Sequence, residues 1–484
     1  MKMRSISLLG LILVPMVCIV SGEAILESVC LYQKTGAYIN SIVVNDLDND
    51  GLVEIISGSS DGVISDFNFN GCSTLEWNWR WQHNVKGAVR QIIVNDLDGD
   101  GEKELIAASN ANTQYVVVLD YGGNFLWSDD DTGGYAISLD IADMNSDGIN
   151  NVIYGTESGN LHVLKEKNNP LCSARLENRV AYIKVSDIDN DGNPDIVALS
   201  NKFGVKADLY VFDSNGNEKI KYSIDKGIYL PSKDTVAIAD IDNDNNKEIL
   251  VATYTKGVLI IDSNGKLKKS LLSGSIVNSV YASDLNGDGN IEIVAGSKPY
   301  LYIFDSYGNI LSRVNVSDSV NEIISSDLNN DAVDEVIFGA NSFIGVLDYN
   351  GNLIVKWDAG RNLKKISLIA SDLDMDNIPE IVAGLGMDKT GAGQSYLSGE
   401  LRVFRVKDIA VSTTLPTSTI VALTTVPTTT ESTTTIERET TTLEETTTIG
   451  KEESGGSPLF IIIISVLFII IVAVIGFFAY KKFH

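Results

Sequence analysis

Histidine is nearly absent. The 484-residue chain has three, and only His83 and His162 lie ahead of its last residue. That is too few to read a Ser–His or Cys–His catalytic set with any force, and no HExxH metal motif stands in for one. Cysteine is scarce too. Cys18 lies in an apolar leader, and Cys30, Cys72 and Cys172 allow one bridge and a leftover thiol rather than a disulfide framework. No CxxC occurs, which excludes a zinc ribbon or a thioredoxin-type site. Lys and Arg number 37 against 64 Asp and Glu, a net charge of −27, so the basic clusters that nucleic acid requires are missing. Between residues 25 and 408 no segment keeps a 3.6-residue apolar period, so helices are not expected there. Disorder is not expected either, because 44% of residues are hydrophobic.

Both termini carry addressing patterns. Residues 1–22 open with MKMR, run through ISLLGLILVPMVCIV and reach Ser21-Gly22, the form of a secretory signal peptide. Residues 459–480, LFIIIISVLFIIIVAVIGFFAY, are uncharged; as a helix they span roughly 33 Å, enough for a single transmembrane pass. Lys481 and Lys482 then place the tail 481–484 in the cytoplasm. Ahead of the span, 411–457 is Thr-rich, with 18 Thr in the 40 positions from 411 to 450. Such composition predicts a disordered, O-glycosylated stalk reaching on the order of 140 Å. These patterns predict a single-pass cell-membrane protein with its bulk outside the cell, and they fit an archaeal cell surface.

What remains, 25–408, is an array. An acidic loop recurs eight times: DLDNDGLVE from Asp46, DLDGDGEKE from Asp96, DMNSDGINN from Asp143, DIDNDGNPD from Asp187, DIDNDNNKE from Asp240, DLNGDGNIE from Asp284, DLNNDAVDE from Asp327 and DLDMDNIPE from Asp372. The spacings are 50, 47, 44, 53, 44, 43 and 45 residues. Each loop follows an apolar strand such as YINSIVV, and its ninth residue opens a second strand, as in EIISG or EIVAGS. A third strand, an Asn/Gly turn and a more polar fourth strand complete the unit. Four short strands per unit of about 45 residues is the pattern of a β-propeller blade. After the eighth loop only two more strands appear before residue 411, while SVCLYQKTG near the N-terminus supplies an unpaired one. The expectation is an all-β, eight-bladed propeller closed by a split blade, with seven blades as the alternative.

Oxygens at loop positions 1, 3, 5 and 9, with a carbonyl at 7, suit a hard cation, and Ca²⁺ takes such cages more readily than Mg²⁺ does. The candidate ligands are Asp46, Asp48, Asp50 and Glu54; Asp96, Asp98, Asp100 and Glu104; Asp187, Asp189, Asp191 and Asp195; and Asp240, Asp242, Asp244 and Glu248. Asp284, Asn286, Asp288 and Glu292, then Asp327, Asn329, Asp331 and Glu335, then Asp372, Asp374, Asp376 and Glu380 complete the set. Gly at position 6 permits a sharp turn. Asn245 and Asn377 tolerate it, and Ala332 is strained there. The Asp143 loop, with Asn145 and Asn151, ranks weakest and the Asp327 loop next. An EF-hand closes with Glu at position 12 between helices; here the acid is ninth and opens a strand. The eight loops carry 28 carboxylates at these positions, near the whole net charge in size, so stability is expected to depend on calcium, at affinities of roughly 10⁻⁴ to 10⁻³ M.

The DxDxDGxxE loop followed by EIVAG-like residues resembles the FG-GAP or VCBS repeats of integrin α-subunit heads and microbial surface proteins. The resemblance covers roughly 30–408 and implies a propeller with calcium held between the first two strands of its blades. The segments DYNGNLIVKW and DYGGNFLW are similar to quinoprotein-type eight-bladed propellers, without implying a quinone. Trp77, Trp79 and Trp81 alternate on one strand, either as a stacking platform or as packing against the next blade. The long excursions 224–235 and 385–399 are candidates for a binding face, and Asn315-Val316-Ser317 is a glycosylation sequon. The expected function is cell-surface recognition or adhesion toward an extracellular protein or glycan. The alternatives are a membrane-anchored enzyme, carbohydrate-active or quinoprotein-like, and a structural envelope component.

Overall fold

The computed structural model describes residues 24–69, 79–111, 114–129, 134–167, 169–202, 206–225, 235–391 and 394–407. The expected signal peptide, stalk, membrane span and tail lie outside them, as does Trp77. Among the described residues no helix is long and apolar enough to cross a membrane.

The described strands form eight four-stranded antiparallel sheets, each one blade of a propeller. Strand β1 (Ile25–Thr35) stands apart and is placed last. Blade 1 is β2 (Ile39–Asn45), β3 (Glu54–Ser59), β4 (Val63–Asn68) and β5 (Trp79–Asn84); blade 2 is β6 (Val89–Asn95), β7 (Glu104–Ser109), β8 (Val116–Leu119) and β9 (Phe125–Asp129). Blade 3 is β10 (Ala136–Ala142), β11 (Asn151–Thr156), β12 (Asn160–Glu166) and β13 (Asn169–Arg175); blade 4 is β14 (Arg179–Ser186), β15 (Asp195–Lys202), β16 (Lys206–Phe212) and β17 (Glu218–Asp225). Blade 5 is β18 (Val236–Ala239), β19 (Glu248–Ala252), β20 (Val258–Ile261) and β21 (Leu267–Leu271); blade 6 is β22 (Val277–Ser283), β23 (Glu292–Ser297), β24 (Tyr300–Phe304) and β25 (Ile310–Asn315). Blade 7 is β26 (Val320–Ser326), β27 (Glu335–Ala340), β28 (Phe343–Leu347) and β29 (Leu353–Asp358). Blade 8 is β30 (Leu363–Ser371), β31 (Glu380–Gly391), β32 (Gln394–Lys407) and, on its outer edge, β1.

The β1–β32 pairing runs from Ile25↔Lys407 to Thr35↔Ser398, so the first strand of the chain closes the last blade. That split closure leaves no blade lacking its fourth strand. Residues 385–399 are not a loop, as the sequence suggested. Most of them belong to a long hairpin of β31 and β32, paired through Lys389↔Tyr396 and Gly391↔Gln394.

Eight apolar clusters hold the ring, one between each pair of neighbouring blades. Second strands are buried along their whole length, as in β3, β7 and β27, because each is covered on both faces. The Gly of EIVAG marks the closest approach. A Cβ on Gly384 would lie 2.7 Å from the Ile39 side chain of blade 1.

Candidate metal centres

Every acidic loop joins the first strand of its blade to the second. The ladder closes it at one pair: Asn45↔Glu54 in blade 1, Asn95↔Glu104 in blade 2, Ala239↔Glu248 in blade 5 and Ser371↔Glu380 in blade 8. Position 9 is therefore a strand residue, which fixes its carboxylate against the sheet.

The loop folds on its first Asp. In every copy the position-6 N–H donates to that residue's Oδ2, from Gly51 to Asp46 at 3.0 Å, from Ala332 to Asp327 at 2.8 Å and from Asn377 to Asp372 at 2.9 Å. Position 6 takes positive φ throughout, including Asn245 at 71° and Ala332 at 66°. Position 4 does so as well, even where it is Ser146 or Met375; that second left-handed residue went unread in the sequence. Position 2 is the plug. Leu47, Leu97, Met144, Ile188, Ile241, Leu285, Leu328 and Leu373 are all buried, each in the cluster facing the next blade. One oxygen of residue 9 receives the plug's N–H, at 2.8 Å from Leu97 to Glu104 and 3.1 Å from Ile241 to Glu248. The acid thus ties loop to core before any ion is considered.

Its other oxygen separates the loops. In blade 1 Arg80 lies 2.6 Å from Asp48 and 3.5 Å from Glu54, and also holds the buried Asp66 at 2.8 Å. In blade 4 Lys219 lies 2.7 Å from Asp189 and 2.8 Å from Asp195. In blade 5 Lys268 pairs with Asp242 and lies 3.0 Å from Glu248. In blade 8 Arg405 pairs with Asp374 and lies 2.8 Å from Glu380. Blades 6 and 7 use neutral donors: Tyr349 lies 3.4 Å from Glu292, and Asn329 donates to Glu335 at 2.9 Å. Glu104 of blade 2, 7% exposed, has no such donor among the described residues.

Burial raises the position-9 acids: Glu104 and Glu292 are pushed up to about 7 and Glu335 to about 8, with the neighbouring loop aspartates adding repulsion. Glu54 also reaches about 7, burial outweighing the Leu47 N–H and Arg80. Such desolvated carboxylates favour either a proton or a cation.

In five loops three carboxylate oxygens lie within 4.8 Å of one another: Asp46/Asp48/Asp50, Asp96/Asp98/Glu104, Asp187/Asp189/Asp195, Asp240/Asp242/Glu248 and Asp372/Asp374/Glu380. Hard oxygens grouped so suit calcium, and the buried Oδ1 atoms of Asp48 and Asp189 have no hydrogen-bond partner. In blade 6 the Asn286 amide donates to Tyr349 at 3.0 Å and to Asp288 at 3.3 Å. The blade 3 loop does not fit a cation. Asn151 gives its oxygen to the Met144 N–H, leaving its buried, unpartnered Nδ2 where the others have a carboxylate oxygen.

Among the other candidates, Trp81 and the two histidines pack against neighbouring residues. Trp81 donates to the Tyr121 carbonyl at 3.1 Å and lies over Gly123 of the blade 2 turn, while Trp79 is 50% exposed. His83 lies 3.2 Å from the Gly123 carbonyl, and His162 stacks on Tyr154. Cys30 is disulfide-bonded, to a partner outside the described residues, and Cys172 is a free thiol. Against the expectation that the chain holds no GxSxG, Gly58-Ser59-Ser60-Asp61-Gly62 has that spacing, but it spans a hairpin between β3 and β4. There Ser60 Oγ accepts the Tyr38 N–H at 2.8 Å, unlike a nucleophile on a strand-to-helix turn.

At the other end of the inner strands from the acidic loops lies a cavity of 560 Å³. Asn278, Asn321, Asn341, Glu322, Lys365 and Tyr254 are among its lining residues. Thr235, from the 224–235 excursion, also reaches it; 226–234 lie outside the described residues.

Residues 187–251 match the family model of the FG-GAP-like repeat, spanning the Asp187 and Asp240 loops. No curated protein matches the chain in sequence. Among solved structures, Sqt1 of Saccharomyces cerevisiae is similar with a TM-score of 0.57 at 11% identity, covering 78% of this chain and 98% of that one. BamB of Moraxella catarrhalis gives a TM-score of 0.49 at 13% identity, covering 78% and 99%. At these identities the likeness to Sqt1 speaks to fold alone. The chain is an eight-bladed propeller in which residues 187–251 match an FG-GAP-like repeat.

Proposed function

We propose that the protein is a calcium-stabilised recognition module, held at the cell surface by the 459–480 span and raised on the 411–457 stalk. The observation that carries the reading is the division of labour within the ring. Cation-ready loops occupy one end of the inner strands, and a polar, Asn-lined cavity occupies the other. Ions pin the hairpins, and the opposite mouth is left for an extracellular glycan or protein. The amide-rich lining suits hydroxyl groups, which offer both donors and acceptors. Likeness to integrin heads rests on the loop sequences, and adhesion is the form of recognition it suggests.

Glycan-array and surface-protein binding by the full-length chain, with and without calcium, tests this. Binding that Asn321→Ala and Asn278→Ala weaken together is expected. Binding unchanged by both substitutions would move the site elsewhere on the ring.

A further inference from the structure

The outer hairpin of each of the first seven blades carries a β-bulge at one register position. In blade 5 Ile261 pairs with Leu267 and Ile260 with Lys269, so Lys268 is the extra residue. By the same count the bulge residue is Lys219 in blade 4 and Arg80 in blade 1. It is Leu126 in blade 2, Leu171 in blade 3, Leu311 in blade 6 and Ile354 in blade 7. A bulge re-aims a side chain out of the ladder, and in blades 1, 4 and 5 it aims at the acidic loop of its own blade. The three basic bulge residues all ion-pair with loop positions 3 and 9. Blade 8 has Val29 at its β1 bulge, and Arg405 of β32 does the same work.

We propose that these basic side chains are built-in counter-ions that rank the calcium sites, leaving the Asp96 loop of blade 2 as the tightest in the ring. The inference rests on the calcium reading above and refines it. Blades 1, 2, 4, 5 and 8 have loops with four carboxylates. In four of these an Arg or Lys already neutralises part of the charge and stands beside any ion that enters. In blade 2 Asp96, Asp98, Asp100 and Glu104 have no Lys or Arg within ion-pairing distance among the described residues. Lys103 turns instead to the Asp46 carbonyl at 2.5 Å. A carboxylate oxygen of Glu104 lies within 4.8 Å of oxygens of Asp96 and Asp98, and among the described residues no side chain donates to that carboxylate. An extra positive charge within about 5 Å of a divalent ion weakens its binding by at least about tenfold at a protein surface. The neutral donors of blades 6 and 7 place their loops between these extremes.

The test is calcium titration calorimetry on the full-length chain in detergent, comparing wild type with Glu104→Gln, Leu126→Lys and Lys268→Met. Leu126 is 47% exposed, so lysine is accommodated there without repacking. In wild type we expect one site at least about tenfold tighter than those of the cation-paired loops of blades 1, 4, 5 and 8. Both Glu104→Gln and Leu126→Lys should remove it, and Lys268→Met should add a second site of the same class. A tight site that survives both blade 2 substitutions overturns the ranking, as does an unchanged count in Lys268→Met. Equal sites throughout overturn the ranking alone, whereas no calcium binding at all overturns the calcium reading as well.

Discussion

The blade 2 and blade 5 loops are built from the same parts. Asp96 and Asp240 each gather the position-6 N–H. Leu97 and Ile241 each plug an inter-blade cluster, and Glu104 and Glu248 each hold the plug's N–H. Asn243 and Asn245 stand where blade 2 has Gly99 and Gly101, but the difference in charge beside the loop lies in one residue of the outer strand, Leu126 against Lys268. The difference teaches that the loop motif encodes a fold and a charge, while the choice of counter-charge is made some 20 to 30 residues later in the chain.

The largest effect should ignore that choice. Leu97→Ala and Ile241→Ala each empty a buried plug position and should cost about 2–5 kcal/mol in denaturant unfolding, with or without calcium. A strong calcium dependence in either would mean that the plug belongs to the ion rather than to the core. Calcium comes next. At a free concentration 100 times the dissociation constant, each filled loop stabilises the fold by about 2.7 kcal/mol. Chelation should therefore lower the melting temperature of wild type, and lower it less in Glu104→Gln. A melt indifferent to chelator would break the comparison at its root.

Removing the latch from blade 5 should act in the opposite sense. Lys268→Met in chelator should destabilise by about 1–2 kcal/mol, discounted for the partial exposure of the pair, and calcium should restore the loss. A smaller effect follows from Glu104, raised to about 7 by burial. Its folded pKa lies above the unfolded one, so the chelated protein keeps this contribution at low pH and loses it as pH rises through about 7. The chelated melting temperature should fall between pH 5 and 8, and Glu104→Gln should flatten that slope. Smallest is Ala332→Gly, which relieves a left-handed alanine and should stabilise by about 1 kcal/mol in thermal melts. No change there would show that the loop tolerates this φ without strain.

The repeat, the position-9 strand start and the closing β1 strand were all legible in the sequence, because each is a local pattern copied eight times or left over at an end. The plug is legible too, as the apolar residue between the first two polar positions of every loop, whether DLD, DID, DLN or DMN. What stayed hidden depends on neighbours brought close by folding. Counting acids ranks the Asp46, Asp96 and Asp187 loops alike; Arg80 and Lys219, which reach their loops through the bulge, separate them from blade 2, where the bulge residue is Leu126. A signal was available in blades 4 and 5, where Lys219 and Lys268 each follow six residues after the Asp of the Asn-Gly turn. Blade 1 gives no such cue, since Arg80 lies beyond a longer connection.

Hydrogen exchange on the full-length chain, with calcium and then with chelator, tests the contrast most directly. We expect the amides of 96–104 to lose protection on chelation while those of 240–248 keep most of theirs, held by Lys268. Equal loss in both loops, or none in either, would contradict the assignment of the outer-strand cation as the blade 5 counter-ion.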